Sequence, residues 1–96
     1  MAIKPIKNKL TEFLTQNKFQ SSIGENTNNG WGFGGYIGDC YRNEKWMVRI
    51  GKACYRHAGT EKFVTLTNIE TRERLIDLSQ SNKAFDKIIN LIAPTL

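Results

Sequence analysis

The spacing of hydrophobic residues predicts a helix near each end of the chain. In residues 3–18 and again in residues 82–93, apolar side chains recur every three or four positions, which is the period of one helical face. Ser81 or Asn82 can cap the second helix, and Pro94 ends it. The two apolar stripes consist of Ile3, Ile6, Leu10, Phe13 and Leu14, and of Phe85, Ile88, Ile89 and Ile92.

Between the helices, residues 36–78 read as antiparallel strands. Short segments rich in aromatic and β-branched residues alternate there with turn residues. Two-residue turns are predicted at Asn43-Glu44 and at Gly51-Lys52. At the second of these, glycine in the first central position suits a type II′ turn. The predicted strands are 36–42, 45–50, 53–57, 62–67 and 74–78.

Residues 20–35 follow neither period and have the Ser, Asn and Gly content of a loop. Five of the eight glycines fall between Gly30 and Gly38, where they alternate with aromatic residues. The rings of Trp31, Phe33 and Tyr36 are candidates to stack on nucleic-acid bases or to fill a pocket of a protein partner. The alternative is that these rings fold back onto the core.

This order of elements predicts the α+β class. We expect an antiparallel meander sheet of four to five strands, with the N-terminal and C-terminal helices packed on one face. The 96 residues are expected to form a single domain, 1–96.

The predicted register separates apolar residues from basic residues, because directly opposed residues share a face of a sheet. One face carries Tyr41, Trp46 and Val48, which the helices are expected to cover. A bulge at Gly51 in one long strand is the alternative to a turn there. The opposite face carries the cations of the predicted basic face, which are Arg42, Lys45, Arg49 and Arg56.

The charge of the chain favours an anionic partner. The net charge is +5 and the pI about 9.4, which fits binding to nucleic acid or to an acidic patch on another protein. The predicted basic face is the candidate contact surface, assisted by Trp31, Phe33 and Tyr36. A solvated polar face that binds nothing is the alternative, and an exposed sheet edge also offers a route to a homodimer.

The function predicted from these features is that of a non-catalytic binding module. One alternative is a small inhibitor or adaptor that blocks a larger protein complex. Another is a small RNA-cleaving, toxin-like enzyme that uses His57, although no second acid or base accompanies that residue and no catalytic residue is therefore assigned.

Metal, cofactor and membrane chemistry are not expected. Cys40, Cys54 and His57 are too few for a four-ligand zinc site, and we expect both thiols to be free. The longest apolar runs are only a few residues, against about 20 for a membrane-spanning helix. We do not expect the N-terminal residues to form a signal peptide, because no apolar segment follows their positive charge, and we expect a cytoplasmic location.

Overall fold

The protein is built from a five-stranded antiparallel sheet and two α-helices. The computed structural model describes residues 7–26, 36–55 and 59–96, with the backbone alone at residues 26, 36, 53–55 and 59–61. The strands follow one another across the sheet in chain order, which confirms an antiparallel meander of the α+β class. In chain order the elements are α1 (Lys9–Gln16), β1 (Gln20–Asn26), β2 (Tyr36–Arg42), β3 (Trp46–Tyr55), β4 (Gly59–Asn68), β5 (Arg74–Ser79), α2 (Asn82–Ile92) and a short 3₁₀ helix, η1 (Ala93–Thr95).

Helix α1 begins directly after Asn8, which caps it. The Asn8 side chain accepts a hydrogen bond from the Thr11 N–H at 3.0 Å, and the Thr11 hydroxyl accepts one from the Asn8 N–H at 2.9 Å. This capping box satisfies backbone donors that the first helical turn leaves without partners. The predicted helix over 3–18 is therefore too long, since α1 also ends at Gln16. Residues 3–6 lie outside the described residues.

Strand β1 occupies the first part of the loop predicted over 20–35, so that part of the prediction is wrong. At the edge of the sheet a strand pairs on one side only and tolerates polar residues. A bulge after Ser22 accommodates Gly24, whose φ of 73° lies in the left-handed region. The Gly24 N–H donates to the buried carboxylate of Asp39 at 3.0 Å, which holds the bulge against β2. Residues 27–35 lie outside the described residues.

Strand β3 runs without interruption through Gly51, where the sequence predicts a turn between strands 45–50 and 53–57. Gly51 pairs directly with Gly38 on β2, and a Cβ atom at Gly51 would stand 2.8 Å from the Cα of Gly38. The turn prediction is wrong because this glycine permits a close approach of two strands and does not reverse the chain. The sheet still has five strands, because β1 replaces the strand lost here.

The turn between β2 and β3 is longer than predicted, and the two strands pair two residues away from the predicted register. Arg42 lies opposite Met47 and not opposite Lys45. Because side chains alternate with a period of two, this shift leaves each residue before Gly51 on its predicted face. Beyond Gly51 the unbroken strand places backbone positions 53–55 on the faces opposite to those predicted.

Buried apolar residues of the sheet and of both helices form one hydrophobic cluster. On β3, Trp46, Val48 and Ile50 alternate along one face, and we call this face the core face. Val48 and Ile50 are 0% exposed and Trp46 is 5% exposed. Full burial of one such side chain contributes about 1.5–3 kcal/mol, enough to fix which face points inward. The cluster also contains Leu10, Leu14, Phe19, Tyr41, Val64, Leu66, Ile76, Ala84, Phe85, Ile88 and Ile92.

Helix α2 begins after Ser81, one of the two predicted caps, whose hydroxyl accepts a hydrogen bond from the Ala84 N–H at 3.1 Å. Just before it, the side-chain amide of Gln80 donates to the carbonyls of Gly51 at 2.9 Å and Phe63 at 3.1 Å. These two bonds fasten the connection between β5 and α2 to the middle of the sheet.

Candidate functional site

The structure places three of the residues predicted to bind a partner. Arg42 and Lys45 are exposed at the end of the sheet where β2 turns into β3, whereas Arg49 is half-buried within β3. Outside the described residues lie Arg56, Trp31 and Phe33, together with His57, and Tyr36 is described by its backbone alone.

Arg42 and Arg49 belong to the face of the sheet opposite the core face. Arg42 pairs with Met47 and Cys40 pairs with Arg49, so these alternate positions of β2 and β3 share one side. The pairing of β3 with β4 extends this side across the sheet. We call it the Arg49 face, and it comprises Cys40, Arg42, Met47, Arg49, Phe63 and Thr65.

The Arg49 side chain is half-buried among its neighbours on this face. Its Nε is buried, and the residue lies directly opposite Cys40 on the neighbouring strand. Burial raises the pKa of the Cys40 thiol above its ordinary value of 9.0; the charge of Glu25 adds to the rise, and Arg49 and Arg42 oppose it. Arg49 therefore adds positive potential to this face, while Arg42 and Lys45 are the more accessible cations.

Asn43 shapes the turn that carries Lys45. Its side-chain oxygen accepts hydrogen bonds from the Lys45 N–H at 2.8 Å and the Trp46 N–H at 2.7 Å. Its own N–H donates to the Trp46 carbonyl at 3.0 Å. Asparagine favours such turns because its short side chain substitutes for a backbone acceptor. The Lys45 ammonium lies 5.4 Å from the centroid of the Trp46 ring, a cation–π contact that keeps it at this end of the sheet.

A cavity of about 690 Å³ opens beside this turn and brings Lys18 together with Arg42 and Lys45. Lys18 lies two residues after the end of α1, so the cavity joins the end of that helix to the end of β2. Among the residues that the structure describes, none of these three cations has a carboxylate oxygen within 4.0 Å. The rest of the lining is Gln20, Asn43, Glu44 and Thr95. We call this site the Lys18 cavity.

The two helical ends that border the Lys18 cavity are C-terminal ends, whose partial negative charge opposes anion binding. This effect amounts to about 0.3–1 kcal/mol at an exposed helix end. The last turn of α1 is also capped, because the N–H groups of Asn17, Lys18 and Phe19 donate to its carbonyls. A hydrogen bond to a charged group contributes about 1.5–3 kcal/mol, so the three cations outweigh the helix ends.

Lys18 is the cation of this cavity that the sequence does not predict as a site residue. It lies within the predicted helix 3–18, but in the structure it follows α1 with a φ of 63°. The residue in this left-handed position after a helix is usually glycine, and a lysine there gives no signal that the helix has ended. The turn is fixed by packing, because the next residue, Phe19, is 6% exposed in the core cluster.

Two further exposed lysines lie toward the opposite end of β3. Lys52 and Lys62 are direct cross-strand partners on β3 and β4. Like charges placed directly opposite each other destabilise a sheet slightly. Lys52 and Lys62 do not line the Lys18 cavity, so they serve as a matched comparison for Arg42 and Lys45.

Within the described ranges, no group of three His, Cys, Asp or Glu side chains is placed to hold a metal ion, and no helix is long and apolar enough to cross a bilayer. No protein-family model, curated protein or solved structure matches the chain. The features that bear on function are therefore the geometry and charge of the sheet and its cavity.

Proposed function

We propose that the protein is a small basic binding module, without catalytic activity of its own, that docks an anionic surface. The observation that carries this proposal is the Lys18 cavity, where Lys18, Arg42 and Lys45 meet without a carboxylate within 4.0 Å among the described residues. Cations gathered in one cavity repel one another, and an anion relieves that repulsion while it accepts a hydrogen bond from each of them.

The fold leaves the Arg49 face, which includes Arg42 of the Lys18 cavity, available to a partner. We infer that α1 and α2 both lie against the core face, since their buried residues join the same cluster as Val48 and Ile50. That arrangement directs Arg42 and Arg49 away from the helices. The bonds made by Asn43 fix the turn before the partner arrives, so little ordering entropy is lost when Lys45 binds.

The cations have different roles in this proposal. Arg42 is exposed at the end of β2, where its planar guanidinium can hold a phosphate or a carboxylate with two parallel hydrogen bonds. Lys18 and Lys45 act as point charges, and Arg49 contributes to the potential from its half-buried position. The remaining proposed contacts are Arg56 and the aromatic residues Trp31, Phe33 and Tyr36.

Two classes of partner fit these roles, nucleic acid and an acidic patch on another protein. An inhibitor or adaptor that blocks a larger complex belongs to the second class. The net charge of +5 favours both by attraction at a distance. Nucleic acid is distinguished by a steep loss of affinity with salt, because each phosphate contact releases condensed counterions.

Fluorescence anisotropy with a labelled single-stranded oligonucleotide and with labelled poly-glutamate tests the proposal. We expect at least one of these polyanions to bind. The double variant Arg42→Gln/Lys45→Gln should lose about 100-fold in affinity, since each lost contact of about 1.4 kcal/mol is a factor of ten.

The matched control is Lys52→Gln/Lys62→Gln, which removes the same charge from a cross-strand pair of β3 and β4 that lies away from the Lys18 cavity. It should lose only a few-fold, through the weaker overall field. Failure of both polyanions to bind, or an equal loss in the two double variants, contradicts the proposal.

A further inference from the structure

The Lys18 cavity has a charge that matches one kind of anionic group better than others. Three cations, Lys18, Arg42 and Lys45, share it with one carboxylate, Glu44, so two positive charges remain in excess. A single carboxylate or a phosphodiester carries one negative charge. A terminal phosphate carries between about 1.5 and 2 at pH 7 and has three acceptor oxygens.

The polar lining of the cavity consists mainly of hydrogen-bond donors. The Asn43 side-chain oxygen is occupied by two backbone N–H groups, so its amide nitrogen is the group left to donate to a ligand. Gln20 offers a second amide. The hydroxyl of Thr95 donates to the Ile92 carbonyl at 2.6 Å and accepts from the Trp46 indole at 2.9 Å, so its own proton is committed.

Lys18 is held at the cavity in a conformation that lysine rarely adopts. Its φ of 63° is left-handed, and its N–H donates to the Thr15 carbonyl at 3.2 Å as part of the end of α1. Glycine fits this position with less strain.

We propose that the Lys18 cavity binds a terminal phosphate, the doubly charged group of a phosphate monoester. This inference rests on the proposed function, since both need Arg42 and Lys45 to meet an anion, and it adds the chemical class of that anion. A free nucleotide and the 5′ end of a nucleic-acid strand both carry this group. Lys18 supplies the charge that distinguishes it from a phosphodiester within the strand.

The test compares an oligothymidylate with a 5′-phosphate and the same strand with a 5′-hydroxyl, by isothermal titration calorimetry at neutral pH. We expect the phosphorylated strand to bind about tenfold more tightly, the value of one extra charge contact of about 1.4 kcal/mol. This preference should shrink below about pH 6, where the phosphate dianion takes up one proton and its charge falls toward −1.

Two variants with equal charge make the test specific. Lys18→Gly removes one of the three cavity cations and places glycine, which tolerates a left-handed backbone, at that position. Arg72→Gly does the same at the other non-glycine residue with positive φ among the described residues, in the turn between β4 and β5. The preference for the 5′-phosphate should disappear in Lys18→Gly and persist in Arg72→Gly. Equal affinity for the two strands, or a preference that survives Lys18→Gly, overturns the inference.

Thymidine 5′-monophosphate identifies the source of the phosphate. Binding as tight as that of the phosphorylated strand supports a small phosphate monoester, whereas weaker binding supports the end of a strand. If both strands bind equally and Arg42→Gln/Lys45→Gln still abolishes that binding, the terminal phosphate is excluded and the proposed function stands. If neither the strands nor poly-glutamate binds, both proposals are overturned.

Discussion

Gly38 and Gly51 lie directly opposite each other on β2 and β3, and neither position has room for a Cβ atom. A Cβ at Gly38 would stand 2.5 Å from the Cα of Gly51 and would also meet the Ile50 carbonyl. Strand β3 continues through this close approach as one strand. It therefore positions Arg49 and the turn at Asn43 relative to the rest of the sheet.

The variants Gly38→Ala and Gly51→Ala should each lower the free energy of unfolding by about 1–3 kcal/mol, because an added methyl group forces the two strands apart. Urea denaturation measures the loss. Ser22→Ala on the exposed edge strand is the control and should change stability by less than about 0.5 kcal/mol. Wild-type stability for Gly51→Ala would show that this pairing is incorrect.

Asn43 and Asn68 provide a matched pair for testing the turn at the site. The Asn68 side-chain oxygen accepts hydrogen bonds from the Glu70 N–H at 3.0 Å and the Thr71 N–H at 3.2 Å, as Asn43 does in its own turn. Replacing either residue by alanine removes two such bonds and should destabilise the protein by about 1–2 kcal/mol. Only Asn43→Ala should weaken anion binding in the anisotropy assay. A similar binding loss in Asn68→Ala would mean that general loosening of the sheet is responsible.

Lys18→Gly and Arg72→Gly should leave the protein folded and slightly more stable. Both residues have positive φ, at 63° and 62°, where a side chain costs about 1–2 kcal/mol that glycine avoids. The greater freedom of glycine in the unfolded chain offsets about 0.5–1 kcal/mol of that gain. The expected net change in the free energy of unfolding is an increase of between zero and about 1.5 kcal/mol, measured by thermal denaturation. A marked loss of stability in either variant would show that its side chain makes a needed contact.

Stability should fall at alkaline pH in a way that depends on Cys40. Burial raises the pKa of its thiol above 9.0 in the native state, so above that pH the native protein holds a proton that the unfolded chain has lost. The contribution of this group is complete below about pH 9 and disappears as the pH rises through the native pKa. Burial likewise raises the pKa of Tyr41 above 10.0. Urea denaturation across this range should show a shallower decline for Cys40→Ala, and equal slopes would contradict the assignment.

Local signals in the sequence were sufficient to predict the bounds of α2, β2 and β5 to within one residue. The Ser81 cap, the apolar stripe and Pro94 all act within a few residues, and α2 ends within one residue of its predicted limit. Alternation of apolar and polar residues was sufficient to place Trp46 and Val48 in the core and Arg42 and Arg49 on the opposite face. The predicted pairing of β2 with β3 was wrong by two residues. Because side chains alternate between faces with a period of two, this error left each of these residues on its predicted face.

The features that the sequence did not predict depend on contacts between distant parts of the chain. Gly51 resembles a turn residue until its partner Gly38 is known, and the polar residues of β1 form a strand only because β2 lies beside them. The Lys18 cavity combines the end of α1, the turn after β2 and the residues after α2. Proximity of this kind arises from tertiary packing, so the sequence predicted Arg42 and Lys45 but could not add Lys18.

Chemical-shift mapping tests most directly whether anions bind at the Lys18 cavity. Nitrogen-15-labelled protein is titrated with pyrophosphate, a compact polyanion, and the backbone amide shifts are followed. We expect saturable changes at Lys18, Gln20 and the Asn43 turn, with little change at Lys52 and Lys62. Changes centred on Lys52 and Lys62, or the absence of saturable changes at Lys18, would contradict this account of the protein.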